Sequence, residues 1–341
     1  MKKIQIILSM TLLLGVFASC STKVDLYADY KDIPVVYGLL DATQDTNFIK
    51  IVRAFSGSDE VSVDATQVAL IADSCNYPGK LNAKIYRYKS HYSGAYQLDG
   101  TIELDTLTVH DKEPGAFYFP HQKVYFTKEG ILQNTASDTY RYRLEIVKDN
   151  DTVTSETGIV GGETFKIVNS TVSFVSEETD KTEKIKFMPA DNASVYNMEI
   201  QFRYKETLQG VGTFKTVRYS FGMRNVESLS EENGVFSISY SQNLLFNLLR
   251  TAMAGNPEQT HYTYDPSQSF TVSLAAGGDE LYNYIQINQS AGGLSQSVPD
   301  YTNIVGGYGV FSSRVNIGKI LRLSARTQSD MTSFGFTPED F

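Results

Sequence analysis

Along this chain the apolar side chains most often recur at every second position. The clearest run is 140–146, where Tyr140, Tyr142, Leu144 and Ile146 fall on one side and Arg141, Arg143 and Glu145 on the other. A period of two with one apolar face predicts a half-buried β-strand, because successive strand side chains point to opposite faces. Residues 196–204 repeat the pattern: Tyr196, Met198, Ile200, Phe202 and Tyr204 share one face, and Asn197, Glu199, Gln201 and Arg203 the other. Val217, Tyr219, Phe221 and Met223 resume it beyond Gly210-Val211-Gly212, which predicts a long hairpin. Runs rich in β-branched and aromatic residues at 35–40, 48–55, 81–88, 101–109, 123–127, 152–159, 165–175, 183–188 and 270–274 predict further strands. Residues 41–45, Gly57-Ser58-Asp59, Pro78-Gly79 and Asp149-Asn150-Asp151 carry turn formers between them.

The period changes once with clarity. Leu244, Leu245, Leu248, Leu249 and Ala252 make a stripe at helical spacing, with Ser241 as the expected N-cap, Gly255 as the C-terminal stop and Pro257 beyond it. This helix, near 242–254, is expected to cover the apolar face of the 196–223 hairpin as core. A shorter helix is expected from Asp279 through Ile287, although Leu281, Asn283, Ile285 and Ile287 also fit a period of two. The fold class that results is mainly β. An immunoglobulin/fibronectin-like β-sandwich is expected over 32–162, followed by a β-rich domain with one or two helices over 163–341. Val160-Gly161-Gly162-Glu163 reads as the joint. A chain of 341 residues exceeds one typical core, which agrees with two units. The cysteine and tryptophan marks of true immunoglobulin domains are missing, so the reading extends to architecture alone.

The first residues follow a different rule. Lys2 and Lys3 precede an apolar run over 4–17, then Ala18-Ser19 and Cys20. Such a run is short for a hydrocarbon core of roughly 30 Å. A basic start, a short apolar stretch and small residues describe an export signal, here 1–19. Its end resembles the lipobox of bacterial lipoproteins, with Phe17 where Leu is common. That resemblance implies cleavage before Cys20 and acylation of its thiol and amino group; an ordinary secretory signal is the alternative. Residues 20–31 then form a lipidated tether, and each buried methylene of an acyl chain contributes about 0.8 kcal/mol to anchoring. With Cys20 acylated, Cys75 has no disulfide partner in the chain, and a small buried filler is its expected role.

Charge and motif spacing narrow the chemistry. The formal net charge is −9, and losing Lys2 and Lys3 makes it more acidic. That balance argues against nucleic-acid binding through phosphates and against docking on an anionic bilayer by charge. The four histidines, His91, His110, His121 and His261, form no H-E-x-x-H pair, and no C-x-x-C is present, so no metal site and no cofactor are expected. His110, Asp111 and His121 belong to one domain; separate surface positions are expected for them. No G-x-S-x-G elbow appears, Gly307-Tyr308-Gly309 lacks the context of a dinucleotide loop, and Asp149-Asn150-Asp151 lacks the rest of a calcium loop. No catalytic residue is named. The aromatics are 22 Tyr and 19 Phe with no Trp; many of the tyrosines sit in alternating strands, where packing is the plain reading, and without Trp a glycan-stacking face loses its best side chain.

Two short motifs carry a family resemblance. The stretch Asp32-Ile33-Pro34-Val35-Val36-Tyr37-Gly38-Leu39-Leu40 and the stretch Asn303-Ile304-Val305-Gly306-Gly307-Tyr308-Gly309-Val310-Phe311 resemble the opening and closing motifs of a family of Bacteroidota outer-membrane lipoproteins catalogued only as a domain of unknown function. The resemblance implies a lipid-anchored envelope protein with a β-sandwich first domain and implies no reaction. For Gly306, Gly307 and Gly309 a bulge or tight turn is expected ahead of a ligand contact. The leading expectation is a non-enzymatic binding or accessory module of the cell envelope, held by the lipid on Cys20, with an outer-membrane protein such as a transporter as partner. A structural or assembly protein of the envelope and an enzyme with an unrecognised site are the alternatives.

Overall fold

The computed structural model describes residues 32–54, 67, 69–290 and 301–340. Among the described residues the fold is mainly β, 51% strand and 13% helical, in several sheets with a sandwich-like arrangement. Cys20, the signal and tether, and the Gly57-Ser58-Asp59 turn lie outside the described residues.

The first unit contains β1 (Pro34–Leu40), β2 (Asn47–Arg53), a four-residue helix α1 (Ala72–Cys75), β3 (Asn82–His91), β4 (Gln97–Glu103), β5 (Asp105–Val109), β6 (Gln122–Thr127), β7 (Asp138–Lys148) and β8 (Asp151–Gly158). One sheet has the order β4-β3-β7-β8; facing it, β1-β2-β6-β5 are neighbours in a second, larger sheet. The run predicted as one strand over 101–109 is two. At buried Leu104, whose N–H donates to the Ala83 carbonyl, the chain leaves β3 and joins β6, turning a corner of the sandwich. The alternation in β7 has the expected consequence: Tyr140, Tyr142, Leu144 and Ile146 are buried among Val36, Leu40, Ile49, Ile85 and Tyr125. The buried Tyr142 hydroxyl accepts from the Leu132 N–H at 2.7 Å, so its polar tip is satisfied, and burial pushes its pKa up to about 12. β7 and β8 form the predicted hairpin, with Asp149 at φ 51° in its two-residue turn.

The second unit begins with β9 (Lys166–Ile167) and β10 (Thr171–Val172), two short pieces where one strand over 165–175 was expected. β11 (Thr182–Met188), β12 (Val195–Leu208), β13 (Val211–Asn225), β14 (Ser230–Glu232) and β15 (Val235–Ser241) follow. The β12–β13 hairpin is longer than the alternation showed, and it turns at Gln209-Gly210, both at positive φ (50° and 82°), one step before the predicted glycine-rich reversal. Helix α2 (Leu244–Met253) buries Leu245, Phe246 and Leu249, but Ala252 is exposed. Ser241 is not its cap. Ser241 is the last residue of β15 and donates to Asn243 Oδ1, and Asn243 takes the cap position without a side-chain cap bond. α2 shares the cover of the hairpin with the β11–β15 sheet, and Phe202 and Tyr204 also pack sideways against Tyr264 and Phe336 of the neighbouring strands. β13 pairs with β12 alone, so Phe214 and Tyr219 stay exposed.

The chain ends with β16 (His261–Tyr264), β17 (Phe270–Gly277), α3 (Asp279–Ser290), β18 (Tyr308–Ile320), β19 (Arg322–Leu323), α4 (Ala325–Ser333) and β20 (Phe336–Pro338). Helix wins over strand at 279–290, but Asp279 lies inside its first turn rather than capping it, and its carboxylate accepts from Ser194. α4 is a third helix in this unit. It starts at Ser324, whose side chain accepts from the Thr327 N–H, and it clamps the β10 segment: Thr327 Oγ1 accepts from Phe174 N–H at 2.7 Å and Asp330 Oδ2 from Ser176 N–H at 2.8 Å.

One strand belongs to both units. The first half of β18 pairs parallel with β1, Val35 opposite Tyr308 through Leu40 opposite Ser313. Its second half pairs antiparallel with β17, Gly277 opposite Arg314 through Thr271 opposite Ile320. Phe311 is therefore buried in the first core and Val315 in the second. The two sheets merge through this strand into one of ten strands.

Candidate functional site

The two motifs meet in space, since β1 and β18 are neighbours. Their glycines are explained by that approach. A Cβ on Gly307 would stand 2.6 Å from the Pro34 carbonyl oxygen, and one on Gly309, at φ 105°, would overlap the Val36 carbonyl oxygen. The Asn303 side chain bridges to Phe311 in both directions, accepting from its N–H at 3.0 Å and donating to its carbonyl at 2.7 Å. Ser155 Oγ donates to the Asn303 carbonyl at 2.8 Å, and Thr154 and Val305 exchange backbone bonds. The closing motif is thus pinned between β8 and β1. Beside it a cleft of about 410 Å³ is lined by Asp32, Pro34, Lys148, Thr152, Gly306 and Tyr308, among others. Asp32 holds its edge, accepting from Lys148 Nζ at 2.7 Å, Tyr77 Oη at 3.1 Å and Arg53 Nε at 3.2 Å. Burial alone raises the Asp32 pKa, but the Lys148 hydrogen bond, with Arg53 and Tyr77, outweighs it and the net shift is downward.

The outward face of the same strands forms a band of aromatic surface. In β1, Val36 and Leu40 point into the core, so Tyr37 points out. Its ring lies edge-on to Tyr284 of α3, centroids 6.2 Å apart. Across the β1–β2 ladder Tyr37 is opposite Lys50, and further along β2 Phe48 pairs with Phe126 of β6, centroids 6.3 Å apart. Tyr37 is 39% exposed, Phe48 50% and Tyr308 42%, which is high for side chains of this size on adjacent strands. Lys50 stands within this band half-buried. Burial, and then the nearby charge of Lys112, lower its pKa, and among the described residues no carboxylate forms an ion pair with it. An apolar aromatic surface containing one ammonium group short of an anion is suited to holding another surface, by burial of the rings and by neutralisation of the amine.

The expected joint at Val160–Glu163 is buried rather than a free linker. Val160 is fully buried, Gly161 and Asp191 exchange backbone hydrogen bonds, and Gly161 and Gly162 take φ of 139° and 103°. Glu280 Oε2 accepts from Thr157 Oγ1 at 3.2 Å and Ser312 Oγ at 2.8 Å; Ser313 Oγ donates to the Gly158 carbonyl and accepts from the Val160 N–H. Ser194 donates to Asp279. These bonds tie β8, β12, α3 and β18 together around a polar cleft of about 340 Å³ that includes Tyr96, Arg141 and Glu156.

His110 and His121, expected apart, are brought together, their Nδ1 atoms 2.8 Å apart. His91 bonds Asp138, and His261 opens β16 at the surface. Cys75 is buried and donates to the Ala69 carbonyl. Among the described residues no group of three or more His, Cys, Asp or Glu could hold a metal, no hydroxyl bonds a histidine, and no helix is long and apolar enough to cross a membrane. The aromatic band escaped the sequence reading because an exposed aromatic in an alternating strand has the same period as a buried one. The signal in the sequence was a strand apolar on both faces, with Val35, Tyr37 and Leu39 on one and Val36 and Leu40 on the other.

The fold and these surfaces define a β-rich protein with a sandwich-like architecture. Comparison with protein-family models gave no match, and comparison with curated proteins gave none either. The family resemblance therefore rests on the two short motifs.

Proposed function

We propose that the protein is a lipid-anchored lipoprotein of the cell envelope that works as a binding or accessory module, with an outer-membrane protein such as a transporter as its partner. The observation that supports this reading best is the aromatic band of Tyr37, Phe48, Phe126, Tyr284 and Tyr308. Tyr37, Phe48 and Tyr308 are already about half-buried, so a partner that takes the rest of each ring out of water gains about 1 kcal/mol apiece. The band lies on β1, the first strand after the tether. Twelve tether residues span at most roughly 40 Å when extended, so in this reading the band is held within reach of proteins in the same membrane. The Lys50 ammonium favours a partner surface that presents a carboxylate.

Two measurements test the proposal. Cys20→Ala protein should leave the membrane fraction; retention there would defeat the lipid anchor. A photo-crosslinking residue at Phe48, in native membranes, should capture one outer-membrane protein repeatedly, and the same residue at exposed Leu98 on the opposite sheet should not. Equal capture from both positions, or none from Phe48, would remove the band as a binding face.

A further inference from the structure

We infer that His110 and His121 form a two-imidazole site for a late first-row divalent cation, with Cu²⁺ the best fit. The last rung of the β5–β6 ladder pairs Val109 with Gln122, so the next residue on each strand, His110 and His121, faces the other across the neck of the 111–120 loop. That neck is fixed. The Lys112 N–H donates to the Pro120 carbonyl at 3.2 Å, Lys112 Nζ to the Tyr118 carbonyl at 2.5 Å, and the Tyr118 N–H to the Ala69 carbonyl at 2.7 Å. The two rings stand edge to face, centroids 4.6 Å apart and planes at 77°, with their Nδ1 atoms converging to 2.8 Å.

Two Nδ1 atoms at that distance are satisfied in either of two ways. One ring keeps its Nδ1 proton and donates it to the other, or both lone pairs turn to a shared cation. The first is a neutral hydrogen bond between exposed side chains, worth about 1 kcal/mol at most, and neither ring makes another hydrogen bond among the described residues. The second fits metal geometry. With metal–nitrogen bonds of about 2.0 Å, a 2.8 Å separation subtends roughly 90° at the ion, the angle between adjacent ligands in the tetragonal sites of Cu²⁺ and Ni²⁺. A tetrahedral zinc ion asks for nitrogens about 3.3 Å apart, so the rings would have to spread. Imidazole suits all three ions, and the general order of affinity puts Cu²⁺ ahead of Ni²⁺ and Zn²⁺. Both histidines are exposed, so the remaining coordination positions face solvent and take water or a group from another molecule.

The test uses the full chain purified in detergent without a histidine tag, titrated with Cu²⁺ by calorimetry and followed by electron paramagnetic resonance. A single 1:1 site is expected, with hyperfine structure from two imidazole nitrogens. His110→Asn or His121→Asn should weaken it at least about tenfold, while His261→Asn leaves it unchanged. Circular dichroism of each variant confirms an intact fold. Undiminished Cu²⁺ affinity in either variant of the pair, or a wild-type spectrum lacking the two nitrogens, would overturn the inference.

Discussion

Phe202, Tyr204, Tyr264 and Phe336 in the second unit are each at most 2% exposed and touch one another ring to ring; Tyr37 and Phe48 in the first unit stand at 39% and 50% on adjacent strands. Both groups come from strands that alternate apolar and polar residues. The difference lies in what covers the sheet. The inner face of β12 and β17 is closed by the β11–β15 sheet, α2 and α4, so its aromatics close-pack. The outer face of β1, β2 and β6 has α3 at one side and the 69–77 and 111–120 loops at the other, and between them the rings meet water. Residue type alone carries no statement about core or contact surface; the second layer decides it.

That contrast yields graded expectations. The largest is Phe202→Ala, which should cost about 3–5 kcal/mol in chemical denaturation by leaving a cavity among interlocked rings. Phe48→Ala should stay within about 0.5 kcal/mol of wild type in the same experiment. Comparable losses from both would erase the distinction between core and band. Gly309→Ala comes next, at about 2–4 kcal/mol, because it adds a methyl group against the Val36 carbonyl oxygen at a φ that favours glycine. A neutral result would mean that the β1–β18 approach has slack. Glu280→Ala strips the acceptor from Thr157 and Ser312 and should cost about 1–2 kcal/mol, with faster hydrogen exchange around Gly158 to Val160. Unchanged exchange there would show that backbone pairing alone holds the joint. The smallest effect is Asp32→Asn. Its folded carboxyl titrates below the unfolded value of about 3.9. Its stabilising contribution is therefore complete above that value and disappears as the pH falls through the lower, folded one. The gap between wild type and Asp32→Asn should be present at neutral pH and close in acid. A gap that is unchanged at pH 2 would assign the effect to packing rather than charge.

Local patterns were legible where one face of a strand meets a core. The hairpins at 138–158 and 195–225 follow from alternation and turn chemistry, and α2 from its leucines. Four features were not legible, each for a physical reason. The β1–β18 pairing joins opposite ends of the chain, and periodicity carries no information about distant partners. Ser241 has the right chemistry for a cap, yet its backbone is committed to β15 through Thr182, which moves the helix start to Asn243. α4 has a weak apolar stripe, and its position depends on Thr327 and Asp330 bonding a segment far upstream. The histidine pair needed the β5–β6 register, which places residues separated by a ten-residue loop side by side.

The shared strand has a consequence in time. A polypeptide is made from one end to the other, so β1 emerges long before residues 308–313. Until they arrive it has β2 on one side and an open edge on the other. Domain-by-domain maturation, the usual order for a chain of this size, is closed to this one: the unit that is synthesised first is among the last to be completed. For that interval the exposed edge of β1 needs shielding, whether by a holding chaperone or by speed, and β18 locks both units in the same event.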